Sequence, residues 1–427
     1  MVSPGGKNTP LDGQFDVVVC GGGPAGLCAA LAAARLGART ALIERYGYLG
    51  GTATAGMVTP ISEYNKGGKR VIGGIPWEFA LRLARSGGAK LDYYNGNVPF
   101  DQEVYKLEAQ RMVLEAEVQP VMNTWVSGVS HEAGRLISAG IVNKSGRHQV
   151  RGEIFIDCTG DADLAWAAGA PMQPQEGGLQ PLTLWFRLGG VDTPRVSGMR
   201  LDGENVSGHN QEVRSFLEKS GAAGRFGGPW FFEGPAPDIV NVNMTRAAGD
   251  ASDWESYQRA SFELREDVFR LVALLKKGIP AFRDAYLLDT AAMAGVRETR
   301  RLLGVHTVTG EELSACLNYP DSIARGAHPM DMHDAHSAGQ QLTGFGEAYY
   351  IPYRCMITKG FPNLLAAGRC VSATREAQST MRVQAPCMAE GEAAGTAAAM
   401  CAREHLSVHK LDTRLLRQTL TARGAIV

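Results

Sequence analysis

The segment Phe15–Arg45, FDVVVCGGGPAGLCAALAAARLGARTALIER, decides the fold. An apolar β-branched run, Val17–Val19, is followed by glycines at positions 21, 23 and 26 and by an alanine-rich segment, Pro24–Leu36. A second apolar run, Thr40–Ile43, ends at Glu44. This order predicts a strand, a tight turn, a helix and a second strand.

The glycine spacing, G-x-G-x-x-G, is typical of a dinucleotide-binding βαβ unit. Gly21 permits the sharp turn, Gly23 lets a pyrophosphate approach the backbone, and Gly26 lets the helix pack closely on the strand. Free N–H groups and the helix dipole favour phosphate at the helix start. Glu44 is placed to accept hydrogen bonds from an adenosine ribose. The alternative is a structural βαβ unit in which the glycines only permit packing.

Composition narrows the class of protein. A chain of 427 residues predicts two or three domains at ~150 residues each. The net charge of −1 gives no reason to expect nucleic acid or an anionic membrane as a partner. No uncharged apolar stretch reaches ~18 residues, so we expect no membrane-spanning helix. The polar residues 1–14 predict a disordered leader and not a signal peptide.

The eight cysteines are scattered without a C-x-x-C pair, which argues against a zinc site, an iron–sulfur cluster or a dithiol centre. They are typical of buried thiols in a reducing cytoplasm, where we expect the protein to reside. His328, His333 and His336 lie among acids but lack helical i, i+4 spacing, so we expect no metal there.

Further elements are predicted outward from the opening unit. A glycine-rich loop, 45–60, continues the phosphate cradle through Gly51 and Thr52. Residues 124–156 alternate as in a three-stranded β-meander. The last strand of the meander, 153–156, runs into Thr159-Gly160-Asp161, a second dinucleotide-site feature in which Gly160 permits close approach and Asp161 also suits a helix N-cap. The remaining predictions are helices at 76–85, 100–117, 252–277 and 386–403 and strands at 118–121, 182–188, 239–244 and 363–367.

Four stretches, VVVCGGGPAGLCAALAAARLGARTALIER, LGGTATAG, DCTGDADLA and NLLAAGRCVSATREAQSTMRVQAPCMAEGEAAGTAAA, together resemble FAD-dependent oxidoreductases of the glutathione-reductase superfamily. GVRETRRLLGVHTVTGEEL and YYIPYRCMI resemble the bacterial FAD-dependent oxidoreductase family, which has relatives among flavin subunits of heterodisulfide reductases. The resemblance implies an α/β fold, with a Rossmann-like FAD-binding domain of the ββα three-layer type carrying a β-meander and an inserted α+β substrate domain. The implied division is an FAD domain at 15–60, 98–170 and 345–405, a substrate or cap domain at 61–97 and 171–344, and a C-terminal tail at 406–427.

The resemblance also implies the FAD contacts. Val121 would flank the adenine, Gly368-Arg369 the pyrophosphate and ribityl chain, and 385–391 the isoalloxazine. Many relatives have Gly-Asp where this chain has Gly368-Arg369, so the ribityl contact departs from the pattern. The residues expected to bind FAD are Gly21, Gly23, Pro24, Ala25, Gly26, Glu44, Arg45, Gly51, Thr52, Val121, Thr159, Gly160, Asp161, Gly368, Arg369, Ala385 and Gly391.

The predicted function is hydride transfer between a small organic substrate and the flavin N5. An FAD-dependent monooxygenase and a non-catalytic electron-transfer subunit of a larger complex remain alternatives. Only one G-x-G-x-x-G is present, so NAD(P)H is either not used or binds without its own Rossmann domain. The missing C-x-x-C excludes disulfide-reductase chemistry. The electron acceptor, the substrate and a homo-oligomeric state are left open.

The substrate site is expected between the flavin and residues 171–344, with Trp185 and Phe186 as an apolar wall. Arg297 and Arg300 are three residues apart, so on a helix they would share one face and hold an anionic group. A role as surface charge, ion pair or core group is an open alternative for each candidate. The candidates for catalysis are His333, Tyr353, Arg354, Arg300 and Arg297, with Glu376 and Arg382 beside the flavin helix.

Overall fold

The computed structural model describes residues 13–91, 96–175, 177–196, 211–334, 337 and 339–427. Most of the predicted leader lies outside these ranges, and Gln14 already begins the first strand. The opening unit forms as predicted, with β1 at Gln14–Cys20, α1 at Pro24–Arg35 and β2 at Thr40–Ile43. Alanine and leucine give α1 high helix propensity, and the chain leaves it at Gly37 with a φ of 88°.

The chain then builds the remainder of the first sheet. Asp101 accepts a hydrogen bond from the Glu103 backbone N–H and caps α3, as the sequence predicts. The alternating residues after it form the predicted meander, β6 to β8. The elements in order are β3 Asn65–Lys66, β4 Lys69–Arg70, α2 Gly74–Arg85, α3 Gln102–Glu115, β5 Gln119–Val121, β6 Trp125–Glu132, β7 Arg135–Asn143, β8 Gly146–Asp157 and α4 Asp163–Ala167.

The middle of the chain contributes a second, antiparallel sheet and the longest described helix, α6. The predicted strand at 182–188 is regular only from Phe186, and the predicted strand at 239–244 is confined to 240–242. The elements are β9 Phe186–Gly189, α5 Gln211–Lys219, β10 Phe231–Glu233, β11 Val240–Val242, α6 Trp254–Gly278, β12 Tyr286–Thr290, α7 Gly310–Ser314, β13 Ser322–Gly326, β14 Met330–His333, β15 Gln340–Thr343 and β16 Tyr349–Pro352.

The last part of the chain returns to the first sheet. Its elements are β17 Leu364–Ala366, α8 Arg375–Met381, α9 Gln384–Arg403 and α10 Thr413–Ala422. The segment predicted as a tail therefore contains a helix, α10, whose Leu416 and Leu420 are buried. The domain boundaries themselves stay a prediction.

Two sheets organise these elements. In the seven-stranded sheet the order is β5-β2-β1-β8-β7-β6, and β17 also pairs with β8. The pairs of β1 with β2 and with β8, and of β17 with β8, are parallel. The four-stranded sheet has the order β10-β11-β9-β12 and is antiparallel. The mixed α/β fold with a parallel sheet and a β-meander is the predicted Rossmann-like class.

The segment 291–303, which carries Arg297 and Arg300, is not helical. The chain is extended there, and its backbone groups bond to distant segments in place of the i−4 carbonyls that a helix needs. Gly295 N donates to Thr183 O at 2.6 Å, and Leu302 N donates to Cys370 O at 2.9 Å. Arg297 and Arg300 consequently do not share a helical face.

Candidate functional site

A first cavity, called here the cofactor cleft, opens at the carboxyl ends of β1, β2 and β8. It encloses about 930 Å³, including space open to solvent. Most residues predicted to hold FAD line it, although they come from distant parts of the chain. Its lining residues are Gly21, Gly23, Pro24, Ala25, Ile43, Glu44, Arg45, Tyr46, Gly51, Thr52, Thr124, Trp125, Val126, Cys158, Thr159, Gly160, Asp163, Met293, Ala367, Gly368, Arg369, Arg382, Gln384 and Cys387.

The three motif glycines have different surroundings. A Cβ at Gly21 would lie 2.3 Å from Cys158 O, and a Cβ at Gly26 would lie 1.7 Å from Gly21 O, so protein atoms alone forbid side chains there. A Cβ at Gly23 would meet nothing closer than Gly51 Cα at 3.9 Å. Gly23 faces the cleft, and the space that its missing side chain leaves fits a pyrophosphate beside the start of α1.

The Glu44 carboxylate is nearly inaccessible, with 4 % of its surface exposed. Its Oε2 accepts from Gly22 N at 2.6 Å, and its Oε1 accepts from Tyr46 N at 2.9 Å. Burial raises the pKa of Glu44, while the two backbone donors oppose that shift. Each oxygen keeps a second lone pair, so the carboxylate fits the ribose hydroxyls of an adenosine.

Arg369, the departure from the Gly-Asp pattern, faces the cleft. Its Nη2 donates to Asp161 Oδ1 at 2.8 Å, and Thr299 Oγ1 donates to the same oxygen at 2.6 Å. Burial raises the pKa of Asp161, but the Arg369 charge and the bond from Thr299 outweigh it and lower that pKa. Asp161 thus anchors Arg369. Gly160 makes room for this arginine, because a Cβ there would lie 2.7 Å from Arg369 Nη2.

Several polar atoms at the inner end of the cleft are buried without a partner among the described residues. They are Arg369 Nη1, Arg382 Nε and Gln384 Oε1. Buried donors and acceptors in folded proteins are almost always paired. A flavin with its N–H, N and C=O groups supplies the complementary atoms, so these residues fit the isoalloxazine end of FAD.

Five residues expected to touch FAD do not line the cofactor cleft. Gly391 packs α9 on α1, since a Cβ there would lie 2.0 Å from Ala25 O. Ala385 and Val121 are core residues with 0 % and 6 % exposure. The other two, described above, are Gly26, which packs α1 against the turn, and Asp161, which holds Arg369.

A second cavity, called here the second cleft, adjoins the first. It encloses about 1360 Å³, including space open to solvent. Thr52, Arg369, Arg382 and Gln384 line both cavities. The full lining is Thr52, Val58, Thr59, Pro60, Ser62, Glu63, Asn97, Thr183, Trp185, Trp230, Phe232, Asn243, Gly295, Val296, Arg297, His328, Pro329, Asp331, His333, Gln340, Leu342, Arg369, Arg382, Val383 and Gln384.

One wall of the second cleft is aromatic. Trp185 and Phe232 stack with ring centroids 5.6 Å apart and an interplanar angle of 23°, and Trp230 lines the same cavity. Trp185 was expected there from the sequence. Phe186, its neighbour on the strand, points to the opposite face and is fully buried in the core.

His333 and Asp331 form a buried pair on β14 facing the second cleft. His333 Nε2 lies 3.1 Å from Asp331 Oδ2, while His333 Nδ1 is buried without a partner among the described residues. Burial and the nearby Arg297 charge lower the pKa of His333 to about 3, against the opposing effect of the hydrogen bond that His333 donates to Asp331. For Asp331, burial raises the pKa, but His333 and Arg382 lower it further than burial raises it.

The other predicted catalytic residues separate. Arg297 lines the second cleft. Arg300 lines neither cavity; its Nη2 pairs with Asp163 Oδ1 at 2.7 Å, and its guanidinium lies over Trp166. Tyr353 is 1 % exposed and donates to Val408 O at 3.0 Å. Arg300 is paired with Asp163, which lines the cofactor cleft, but Arg300 itself lines neither cavity, and Tyr353 is buried away from both; their geometry supports structural roles.

Arg354 is held in the same way. Its Nε donates to Asp321 Oδ2 at 3.0 Å, and the residue lines neither cavity. Glu376 also lies outside both linings, whereas Arg382 lines both. The structure thus brings His333, Arg297 and Arg382 together and leaves Arg354, Arg300 and Tyr353 elsewhere.

Within the ranges that the structure describes, no group of three His, Cys, Asp or Glu is arranged to hold a metal. His336 of the histidine cluster lies outside those residues. All eight cysteines are unpaired thiols, and seven are buried. None of the described helices is both long and apolar enough to cross a bilayer.

Sequence reasoning missed Arg246, Trp230, Phe232 and the partner role of Asp331. Phe232 lies in β10 and Trp230 directly precedes it. That strand has only three residues, too few for an alternating pattern to predict which side chains face a cavity. Arg246 lies in the loop after β11, and no local pattern distinguishes it. Asp331 was visible as an acid two residues before His333, and i, i+2 spacing on a strand puts both side chains on one face.

Comparisons with known proteins agree with the geometry of the cofactor cleft. A geranylgeranyl bacteriochlorophyll reductase-like protein from Thermoplasma acidophilum superposes with a TM-score of 0.51 at 14 % identity, over 96 % of this chain and 84 % of that one. A triple mutant of the flavin-dependent brominase Bmp2 superposes with a TM-score of 0.50 at 12 % identity, over 96 % and 84 %. At such identities the likeness concerns the fold.

A short match links the chain to dihydrolipoyl dehydrogenase of Trypanosoma brucei brucei, 56 % identical over 43 residues, which is 10 % of this chain and 9 % of that enzyme. The FAD dependent oxidoreductase family matches residues 16–420. The glycine that leaves space for a pyrophosphate, the ribose-facing carboxylate and the unpaired polar atoms at the flavin end fit the same cofactor. The chain therefore belongs to the FAD dependent oxidoreductase family, and its cofactor is FAD.

Proposed function

We propose that the protein transfers a hydride between a small organic molecule in the second cleft and FAD in the cofactor cleft. The observation that carries the proposal is that the two cavities share Thr52, Arg369, Arg382 and Gln384. A molecule in the second cleft therefore lies beside the residues that fit the flavin end. The second cleft combines an aromatic wall with convergent polar and charged groups, which can orient a small molecule.

His333 is the group that moves the proton. FAD, when bound, supplies at N5 the atom that accepts or donates the hydride. When the substrate is oxidised, its C–H bond breaks with both electrons leaving as hydride, and an O–H or N–H bond breaks with its proton passing to His333 Nδ1. A C=O or C=N bond forms in the substrate, and bound FAD would supply the acceptor for the two electrons. Reduction of a substrate runs through the same atoms in reverse.

Asp331 sets the tautomer that this role needs. Its Oδ2 lies 3.1 Å from His333 Nε2, so Nε2 carries the hydrogen and Nδ1 keeps a free lone pair. Arg382 Nη2 lies 3.3 Å from the same carboxylate oxygen and fixes its position. The pKa of about 3 keeps His333 neutral at pH 7 and leaves the Nδ1 lone pair unprotonated, but it also makes the ligand-free imidazole a weak base.

Anaerobic reduction of the bound flavin by candidate substrates, followed by its absorbance, tests the proposal. His333→Asn should retain FAD but slow flavin reduction by ~10²–10⁴-fold, the usual contribution of a general base. His306→Asn is the matched control, because His306 pairs with Glu312 outside both clefts. Equal reduction rates in the wild type and His333→Asn would remove His333 from the proton path.

The same experiment separates the alternatives. A monooxygenase would incorporate labelled oxygen from O₂ into its product, and its flavin would be reduced by an external donor before substrate conversion. An electron-transfer subunit would be reduced by no small organic donor. Flavin reduction by substrate without oxygen, followed by substrate turnover with an added acceptor, supports the proposal. The relationship to flavin subunits of heterodisulfide reductases stays a prediction from the sequence.

A further inference from the structure

We infer that the second cleft binds a carboxylate with a planar apolar body, the carboxylate lying on Arg297 with Arg246 behind it. This inference rests on the proposed function, in that the substrate occupies the second cleft. It goes further by naming the substrate class and the residues that select it. The carrying observation is a pair of buried guanidinium groups, neither of which forms an ion pair with a carboxylate within the described part of the chain; the charges of Asp331 and Glu298 act on them only from a distance.

The two arginines share a single neutral acceptor. Arg297 Nη1 donates to Thr183 Oγ1 at 2.7 Å and to Pro181 O at 2.6 Å. Arg246 Nη1 donates to the same Thr183 oxygen at 3.0 Å. Its further acceptors are Asn243 Oδ1 at 3.0 Å and Thr245 O at 2.8 Å. Every acceptor is uncharged, so two positive charges converge on one hydroxyl.

Both guanidinium groups are withdrawn from water. Arg297 is 8 % exposed and Arg246 is 7 % exposed. Buried charges are ordinarily paired, because the loss of hydration is otherwise uncompensated. Burial, followed by the neighbouring arginines, lowers the pKa of Arg297, and burial lowers the pKa of Arg246 to about 10. An anion in the cleft would supply the missing charge.

The nearby carboxylates are already engaged. Asp331 is paired with His333 and Arg382. Glu298 is paired with Arg375 and Arg301, and its Oε1 accepts from Gln180 N at 2.6 Å. Glu63 also lines the second cleft. Within the described residues, neither Glu298 nor Asp331 forms an ion pair with Arg297 or Arg246.

The rest of the lining specifies the body of the ligand. Trp185, Trp230 and Phe232 form the aromatic wall on the same cleft as Arg297. Flat apolar groups stack favourably on such rings. The available space of about 1360 Å³ exceeds that needed by a free inorganic anion. A guanidinium fork beside an aromatic wall therefore matches an aryl or unsaturated carboxylate.

The arginine pair also bears on His333. The Arg297 and Arg246 charges contribute to lowering the His333 pKa. A carboxylate bound on Arg297 would offset that charge and make Nδ1 a stronger proton acceptor. Substrate binding and base strength are thereby coupled through the same two side chains.

Binding of defined probes to the FAD-loaded protein tests the inference. Benzoate, phenylacetate and 3-phenylpropionate are titrated beside benzamide, phenylacetamide and 3-phenylpropionamide, with calorimetry and the flavin difference spectrum as readouts. We expect at least one carboxylate to bind at least ~10-fold more tightly than its amide, about 1.4 kcal/mol. Arg297→Gln should abolish that preference while FAD content is retained. Arg354→Gln, which alters a paired arginine outside both clefts, should leave it intact.

The ratio of carboxylate affinity to amide affinity is also measured on the wild-type protein, so the test does not depend on whether Arg297→Gln folds. A ratio near one in the wild type, or an unchanged ratio in Arg297→Gln, overturns the inference. Inorganic phosphate binding as tightly as the aryl carboxylates overturns the apolar-body part. Failure of the inference with intact substrate-driven flavin reduction leaves the proposed function standing. If carboxylates bind but no organic donor reduces the flavin, the proposed function is wrong and the inference about the ligand class stands.

Discussion

At the scale of single residues, the glycine motif combines two different physical requirements. Gly21 and Gly26 are dictated by protein atoms closer than 2.5 Å to where a Cβ would lie. Gly23 is not, because the nearest atom to its Cβ position is 3.9 Å away. Its backbone, with φ −69° and ψ −171°, also suits any residue. The reason for glycine at position 23 must be the ligand, and the two kinds of glycine should respond differently to substitution.

We expect Gly23→Val to fold and to lose FAD, with an affinity at least ~100-fold lower, about 2.7 kcal/mol. The valine Cβ would lie in the space that fits a pyrophosphate, 3.9 Å from the nearest protein atom, Gly51 Cα. Gly26→Ala should instead unfold the chain or make it insoluble, because its Cβ would overlap Gly21 O. Flavin fluorescence titration and circular dichroism measure the two effects. Gly128→Val, in open space on β6, is the control. Full FAD occupancy in Gly23→Val would assign the motif to packing alone.

At the scale of elements, the sequence predicted what local patterns encode. The βαβ unit, the α3 cap and the meander depend on short-range spacing and formed as expected. The segment 291–303 has helix-forming residues, but its backbone pairs with Thr183 and Cys370, more than 60 residues away in sequence. A local sequence pattern cannot predict hydrogen bonds to segments so distant in the sequence. Likewise Gly391 was assigned to the flavin region by resemblance, whereas its Cβ position lies 2.0 Å from Ala25 O, and the Cβ position of Gly395, one turn later, lies 2.0 Å from Ala29 O. They set the distance between α9 and α1.

The interface between α9 and α2 contains a carboxyl group that favours its neutral form. Glu392 is 2 % exposed, and its Oε2 accepts from Ile75 N at 3.1 Å at the start of α2. Burial raises its pKa to about 8, against the opposing bond from Ile75. Because the folded-state pKa lies above the unfolded value, ionisation destabilises the fold. The cost is absent below the unfolded pKa of ~4.3 and grows as pH rises toward 8.

Glu392→Gln should therefore stabilise the protein at pH 9 by ~1–3 kcal/mol and change its stability little at pH 4.5. The glutamine oxygen can still accept from Ile75 N but carries no charge. Urea unfolding at the two pH values measures the difference. Glu404→Gln, at a side chain that is 56 % exposed, is the control and should show no pH-dependent gain. A gain of equal size at both pH values would mean that packing, and not ionisation, is responsible.

At the scale of the whole molecule, the sites could be predicted only in part. The FAD end defined by Gly23 and Glu44 follows from one contiguous motif. The second cleft combines residues from 52 to 384, and their convergence depends on the antiparallel sheet and on loops that carry no periodic signal. Arg297 and Arg246 lie side by side only because the tertiary fold brings both to the Thr183 hydroxyl. Tyr353 and Arg354 were reasonable candidates by residue type, but the fold gave them buried or ion-paired positions away from both clefts.

The cofactor cleft has a consequence for the stability of the entire chain. Its lining includes Gly21 after β1, Thr124 before β6, Met293 in the extended segment and Cys387 on α9. FAD in this cleft would contact segments that lie far apart in the sequence. Free FAD at 100 times its dissociation constant should stabilise the folded state by about 2.7 kcal/mol. All four segments should gain protection, because each must stay in place for the site to exist.

Hydrogen exchange measured segment by segment on apo and FAD-loaded protein checks this expectation. Protection should rise together in the regions around 21, 124, 293 and 387, and Gly23→Val should show no such rise on adding FAD. If protection increased only near 21 and 44, the βαβ unit would bind FAD as an independent module. The C-terminal return of the chain through β17 and α9 would then be unnecessary for binding. β17 pairs in parallel with β8, and Gly391 packs against Ala25. Both contacts join the C-terminal part of the chain to the part that precedes residue 160. They therefore argue for the joint response.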